Sequence, residues 1–382
     1  MAGSGREQRE IDPRQREVSR RRFLRNAGAL AVGVPVLGAV LEACGGGTSS
    51  GQGGSTVASG SFGANGKDPY PSHPNYHFAL VNHVTTNSFF TPTRYGAQDA
   101  CNLLGCSYSW TGSQNSIVSE MVNAMNSAIA SKVDGIGVPV IDPKAFTAPT
   151  EKALSQGIPV VAYNAPPPTG SDTPTMAYIG QEIFQAGVEA GKRILQVVKP
   201  GDLVAGIIAT PGTGNIQPRI DGAWSVLKPA GVHVVEVGTG ATQGPEIPHV
   251  EAWYQGHQDV KFLYAVDSGD GIAVATTIAK YNLAAKGIKG SGWDVGTPTL
   301  QQVAKGTLDF TIDQQAYLQG FLPILYLFLY QISGGLLRPS DTDTGLLFVT
   351  KDNVGPYVSK QDRYEGSSST EKILTAPSSI KV

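Results

Sequence analysis

Gly135-Ile-Gly-Val138 and Ile158-Pro-Val-Val-Ala-Tyr163 are two short apolar runs, and Ala145 to Gln156 between them reads as a helix. Strands buried on both faces appear in sequence as continuous hydrophobic runs, because neither side of the pleat meets water. A run, a helix and a second run within thirty residues therefore predict parallel strands joined by a crossover helix.

The same unit recurs in both directions along the chain. Upstream lie strand Phe78 to Asn82, helix Thr93 to Leu104, strand Tyr108 to Thr111 and helix Ser116 to Ser131. The last of these places Ile117, Met121, Ala124, Met125 and Ala128 on one face. Downstream, helix Glu182 to Val198 opens a second series, with strands at 203–209, 233–237, 262–266, 288–293 and 310–313 alternating with helices. Two series predict an α/β protein of two doubly wound parallel-sheet lobes. Residues 71–180 and 315–340 are expected in the N-terminal lobe, and 181–314 with 341–382 in the C-terminal lobe. Phe321 to Ile332 is the most apolar stretch, but it is 12 residues long and contains Pro323. A spanning helix needs about 20 residues, so a core helix is expected.

The chain of 382 residues is 41% apolar and only 16% charged, with a net charge of −2. The charge is unevenly placed. Eight Lys/Arg face five Asp/Glu up to Cys44, whereas the rest carries 21 against 26, a net of −5. A basic segment confined to the N-terminus fits a targeting signal rather than a nucleic-acid surface. Ser19-Arg-Arg-Arg-Phe-Leu-Arg25 resembles the twin-arginine export consensus. An apolar stretch from Ala27 to Val40 follows, and Leu41-Glu-Ala-Cys44 resembles a lipobox whose cysteine is acylated. Residues 1–44 are thus expected to be an export signal. Residues 45–70, almost wholly Gly, Ser, Thr, Ala and Gln up to Asp68, form the expected flexible tether. The expected location is the outer face of a bacterial cytoplasmic membrane, held by lipidated Cys44. Two readings stand for Cys101 and Cys106: a disulfide formed after export, or two free buried thiols.

Several chemistries are excluded. Gly187 to Lys192 has the wrong spacing for a phosphate loop, and Gly212-Thr-Gly214 lacks the third glycine of the dinucleotide fingerprint, having Gln217 in its place. Neither H-E-x-x-H nor G-x-S-x-G occurs, and the six histidines have no ligand spacing. No catalytic residue, metal or cofactor is expected. In doubly wound sheets ligands bind beyond the carboxyl ends of strands. Those positions hold Asn82 to Phe90, Asn164, Pro211 to Arg219, Asp267-Ser268, Asp294 and Gln314. Aromatic faces cover C–H surfaces while carboxylates, amides and Arg bridge hydroxyls, a set suited to a polyhydroxylated ligand. Trp110 is a strand-end aromatic that fits either the site or the core.

These segments resemble the periplasmic sugar-binding protein family, in particular its ribose-binding-like branch, from about Tyr76 to Asn353. Thr85-Thr-Asn87-Ser-Phe89-Phe90 looks like the first-strand loop, where an Asn and two aromatics line the sugar site. Asn164 stands where the family has a ligand-gripping Asp. Arg219-Ile-Asp-Gly222 resembles the stretch whose Arg binds hydroxyls, and Asp267 occupies the place of an Asn. Gly292-Trp-Asp294 and Thr311-Ile-Asp-Gln314 match the elements bearing a ligand-binding Asp and Gln. The resemblance implies a periplasmic-binding-protein type I fold hinged between its lobes. It implies a monomer that clamps a sugar or polyol and delivers it to the permease and ATPase of an ABC importer. The family has Asp-Arg where this chain has Asn164-Ala165, so a rigid bidentate donor is missing. That argues against D-ribose and leaves another aldose, a polyol or a signalling sugar open. A sensory receptor presenting its ligand to a signalling partner, and an exported carbohydrate-active enzyme, are the alternatives. A DNA-binding regulator of the same fold would need a helix-turn-helix where the signal and tether stand.

Overall fold

The computed structural model describes residues 72–359 apart from 169, 241 and 242. The expected signal, the lipidation site Cys44, the tether and residues 360–382 lie outside the described residues.

The first sheet contains β1 (His77–Asn82), β2 (Ser107–Gly112), β3 (Gly135–Val138), β4 (Val160–Tyr163) and β5 (Tyr178–Gly180). All pair in parallel in the order β5-β4-β3-β1-β2. Alternate residues of β1 point to opposite faces, as the strand period of two requires. Ala79 and Val81 join Met121, Met125 and Ile129 of α2 (Val118–Ala130), near α3 (Thr147–Ser155). Phe78 and Leu80 join Ala97, Cys101 and Leu104 of α1 (Thr91–Leu104). Burial on both faces is why these strands carry no polar alternation. Half-buried Trp110 packs against the second cluster, where it tilts against Phe90 and donates its indole N–H to Thr85 O. Cys101 and Cys106 stand as free thiols, hydrogen-bonded to each other, rather than as a disulfide. The hydrogen bond with Cys106, reinforced by burial, pushes the Cys101 thiol well above its ordinary range.

After β5 the chain enters the second lobe. There β6 (Leu203–Ile208), β7 (His233–Gly238), β8 (Val260–Ala265) and β9 (Lys289–Ser291) pair in parallel in the order β7-β6-β8-β9. A parallel bridge from Ser291 to Phe310 leads on to β10 (Thr311–Asp313). One face of the sheet packs on α4 (Ile183–Ile194) and α5 (Gln217–Leu227). The other packs on α6 (Gln243–Gly256), α7 (Ser268–Lys280) and α8 (Thr297–Lys305). The α4 and α5 backbones touch because glycine stands at the crossing. A Cβ on Gly187 would lie 2.2 Å from Arg219 O, and one on Gly222 would lie 2.2 Å from Phe184 O. The crossing therefore sets the height of Arg219 above the sheet.

From β10 the chain returns to the first lobe as α9 (Leu318–Ile332), whose Ile324, Leu327 and Phe328 fill the core beside α1. No helix among the described residues is long and apolar enough to cross a membrane. β11 (Thr342–Asp343) then pairs in parallel with β5, and β12 (Leu347–Val349) pairs antiparallel with β10 before the short α10 (Gly355–Ser359). The expected return to the second lobe at 341 is thereby corrected. Residues 342–343 complete the first sheet, and the crossing falls after them. The chain passes between the lobes three times, near 181, 315 and 345.

Candidate ligand-binding site

The carboxyl ends of both sheets face one cavity, which encloses about 590 Å³ of non-atom space, some of it open to solvent. All eight expected residues line it: Asn87, Phe89, Phe90 and Asn164 from the first lobe, Arg219, Asp267 and Asp294 from the second, and Gln314 at a crossing. His83 and Asn215, which fall inside the strand-end windows Asn82 to Phe90 and Pro211 to Arg219 without being picked out individually, line it as well, and so does Glu246, which lies outside those windows.

Each lobe offers the cavity a strand-end Asn or Asp in a left-handed conformation. Asn164 follows β4 with φ 63°, and Asp294 follows β9 with φ 64°. Asn and Asp are the non-glycine residues that adopt this region most readily, and such residues cluster at functional sites. Their side chains are held rather than free. Asn164 Nδ2 donates to Gln319 Oε1 at 3.0 Å, and Asp294 Oδ1 accepts from Gln314 Nε2 at 2.7 Å. Asn87 caps the 3₁₀ turn at 88–90, accepting from Phe89 N at 2.9 Å. That turn sets Phe89 and Phe90 edge to face, 4.7 Å between centroids, and exposes apolar ring surface to the cavity.

Arg219 is the positive centre. It is 3% exposed, with its guanidinium carbon 4.4 Å from the Trp293 ring centroid. Nη1 donates to Val266 O at 2.7 Å and Nη2 to Gln314 Oε1 at 3.3 Å, while Nε is buried without a partner. A direct ion pair to Asp267 or Asp294 would balance the buried guanidinium most simply. The structure instead inserts Gln314, which accepts from Arg219 and donates to Asp294. Burial pushes the Asp294 carboxyl up to about 7, and Arg219 and Gln314 oppose that rise. Asp267 caps α7, with Oδ1 accepting from Asp270 N and Oδ2 from Ala209 N.

Behind the cavity stands Gln319, fully buried. Its amide nitrogen donates to Gln314 O at 3.0 Å, to Gln314 Oε1 at 3.1 Å and to Thr344 Oγ1 at 3.2 Å. One side chain thus ties two crossing segments to Asn164. Across the cavity mouth, His83 Nε2 of the first lobe lies 3.4 Å from Asn215 Nδ2 of the second. His83 Nδ1 and Asn215 Oδ1 are buried without partners. Burial, reinforced by the Arg219 charge, lowers the His83 imidazole to about 4, so it is neutral at pH 7. Unpaired buried polar atoms cost about 1–3 kcal/mol each. Ligand hydroxyls are the groups that would satisfy them, being both donors and acceptors.

Comparison with known proteins places this geometry. A family model described as a periplasmic binding protein domain matches residues 78–333. The xylose/arabinose-binding protein XylF of Sulfolobus acidocaldarius is 46% identical over 321 residues, 81% of this chain and 79% of the relative. Among solved structures, an ABC transporter solute-binding protein from Burkholderia graminis in complex with D-arabinose is 27% identical. It has a TM-score of 0.68 and covers 75% of this chain and 99% of that one. AraP, an arabinose-binding protein from Geobacillus stearothermophilus, is also 27% identical, with a TM-score of 0.59 over 74% and 99% of the two chains. These relatives are binding proteins, as the expectation of a non-enzymatic role requires. Two α/β lobes, a shared polar cavity and a family match over most of the folded chain lead to one conclusion: this chain belongs to the periplasmic binding protein family.

Proposed function

We propose that the cavity takes an aldopentose of the xylose or arabinose class and that the eight lining residues named from the sequence, joined by His83 and Asn215, contact it. The observation that carries this reading is the set of buried, unsatisfied polar atoms around the cavity, Arg219 Nε, His83 Nδ1 and Asn215 Oδ1, together with the aromatic pair Phe89 and Phe90, on whose Phe90 ring the His83 ring packs edge to face. The pentoses named for the Sulfolobus relative and the Burkholderia complex support the ligand class. In the closed pocket Arg219, Asp294 and Gln314 bridge ring hydroxyls while the aromatic faces cover C–H surface. The lobes close on the sugar about the three crossings, and the closed form docks on the importer's permease, which its ATPase drives. Calorimetric titration of sugar-stripped protein with aldopentoses, aldohexoses and polyols tests the reading. The expected result is tightest binding by xylose or arabinose, and hexose binding at least equal to pentose binding would refute it.

Anchoring belongs to the same proposal. The twin-arginine motif, the lipobox-like Leu41-Glu-Ala-Cys44 and the tether support export and lipidation at Cys44. Cys44→Ser is expected to release the protein from the membrane fraction. Retention of the variant in membranes would count against the lipid anchor.

A further inference from the structure

Glu246, Asp267 and Asp270 bring three carboxylates together so that one oxygen from each lies within 4.8 Å of the others. Asp270 is fully buried. Its Oδ1 accepts from the Thr239 hydroxyl at 2.7 Å, whereas Oδ2 is buried with no hydrogen-bond partner. Glu246 is 3% exposed and rests on the first turn of α7, where glycine makes room for it. A Cβ on Gly269 would lie 2.1 Å from Glu246 Oε2. A buried carboxylate needs a partner cation or a proton. Arg219, the cationic side chain of the cavity wall, is committed elsewhere, to Val266 O, Gln314 and the Trp293 ring.

We propose that Glu246, Asp267 and Asp270 form a binding site for a hard divalent cation of calcium's size, set in the wall of the sugar cavity. The chemistry of the donor set is all oxygen and anionic, as calcium prefers. Calcium accepts six to eight oxygens in a flexible shell, whereas magnesium demands near-ideal octahedral geometry and dehydrates reluctantly, so carboxylates already drawn together by the fold suit calcium better. Three carboxylates do not fill calcium's six to eight positions. Glu246 and Asp267 line the sugar cavity and Asp270 does not, so the open positions face the ligand space, where water or a sugar hydroxyl completes the shell. Asp267 is shared between the two sites, and linkage makes the coupling reciprocal: the ion tightens sugar binding and sugar tightens ion binding. Only the coupling rests on the sugar reading; the cation site stands on its own residues.

The test uses the full chain freed of metal by chelator and titrated calorimetrically at neutral pH. We expect one calcium ion per chain, magnesium at least about tenfold weaker, and sugar affinity rising about fivefold or more in calcium. Asp270→Asn should abolish calcium binding while retaining sugar binding in chelator. Glu246→Gln provides a second variant with the same expected calcium loss should the first not fold. No calcium binding at millimolar concentration, or equal binding of calcium and magnesium, would overturn the proposal; the carboxylates would then be carrying protons. Calcium binding by a protein that takes up no sugar would leave the cation site standing and refute the sugar reading alone.

Discussion

The guanidinium of Arg219 lies over the indole of Trp293, 4.4 Å from the ring centroid, and both residues are buried. Stacking fixes the plane of the fork, and Val266 O and Gln314 Oε1 fix its rotation. A lysine keeps the charge but neither stacks in this way nor offers a planar fork. Arg219→Lys should therefore weaken sugar binding by about tenfold to a hundredfold, or roughly 1.4–2.8 kcal/mol. Calorimetry would check this, and affinity within twofold of wild type would contradict the role assigned to Arg219.

Gln319 supports two cavity residues, Asn164 and Gln314, without lining the cavity itself. Removing its side chain orphans Asn164 Nδ2 and strips donors from Gln314 and Thr344. Gln319→Ala is expected to cost about 1–3 kcal/mol in urea unfolding and to loosen the sugar complex by about tenfold. A variant as stable as wild type that bound sugar normally would remove Gln319 from the account of the crossings.

His83 gives the stability an acid limb of known sign. Its folded-state value of about 4 lies below the ordinary 6.5, so the unfolded chain binds the proton more readily. The stabilisation is complete above pH 6.5 and is lost as pH falls through about 4, by on the order of 3 kcal/mol. In His83→Gln that share of the acid loss should vanish. Asp294, raised to about 7, contributes with the opposite sign, stabilising below its ordinary 3.8 and losing the effect as pH rises toward 7. Urea unfolding of wild type and variant at pH 7 and pH 4.5 isolates the His83 share. Parallel pH dependence in the two proteins would show that the imidazole is not buried neutral.

Gly214 of the second lobe faces Pro168 of the first so closely that a Cβ would lie 2.7 Å from Pro168 Cγ. A proline ring cannot swing aside. Gly214→Val should hold the lobes apart and speed sugar release by about tenfold or more, leaving the sugar-free stability within about 0.5 kcal/mol of wild type. Stopped-flow release kinetics would test it, and an unchanged off-rate would mean that the lobes close without this contact.

The strand-end rule made the cavity legible because a doubly wound sheet has one ligand edge, and residues such as Asn164, Asp294 and Gln314 must fall on it. His83 sat within the same window after β1, but a lone histidine there resembles any core histidine until its orphaned Nδ1 is seen. Glu246 was hidden differently. It lies inside α6 on a stretch with two prolines, and only the three-dimensional course of α7 brings Asp267 and Asp270 to it. Gln319 opens the most apolar helix of the chain, where a polar residue reads as a cap rather than a hub. The two missed strands of the first sheet, β5 and β11, are three and two residues long. They are too short for any hydrophobic period to register.

The triple passage between lobes also governs how the molecule can be made. The first sheet waits for Thr342 and Asp343, and the second lobe waits for Leu347 to Val349. Neither lobe is a contiguous stretch, so a ribosome must deliver nearly the whole folded portion before either half can close its sheet. A premature stop ahead of residue 342 would strip a strand from both lobes at once, rather than leave one finished lobe and one missing.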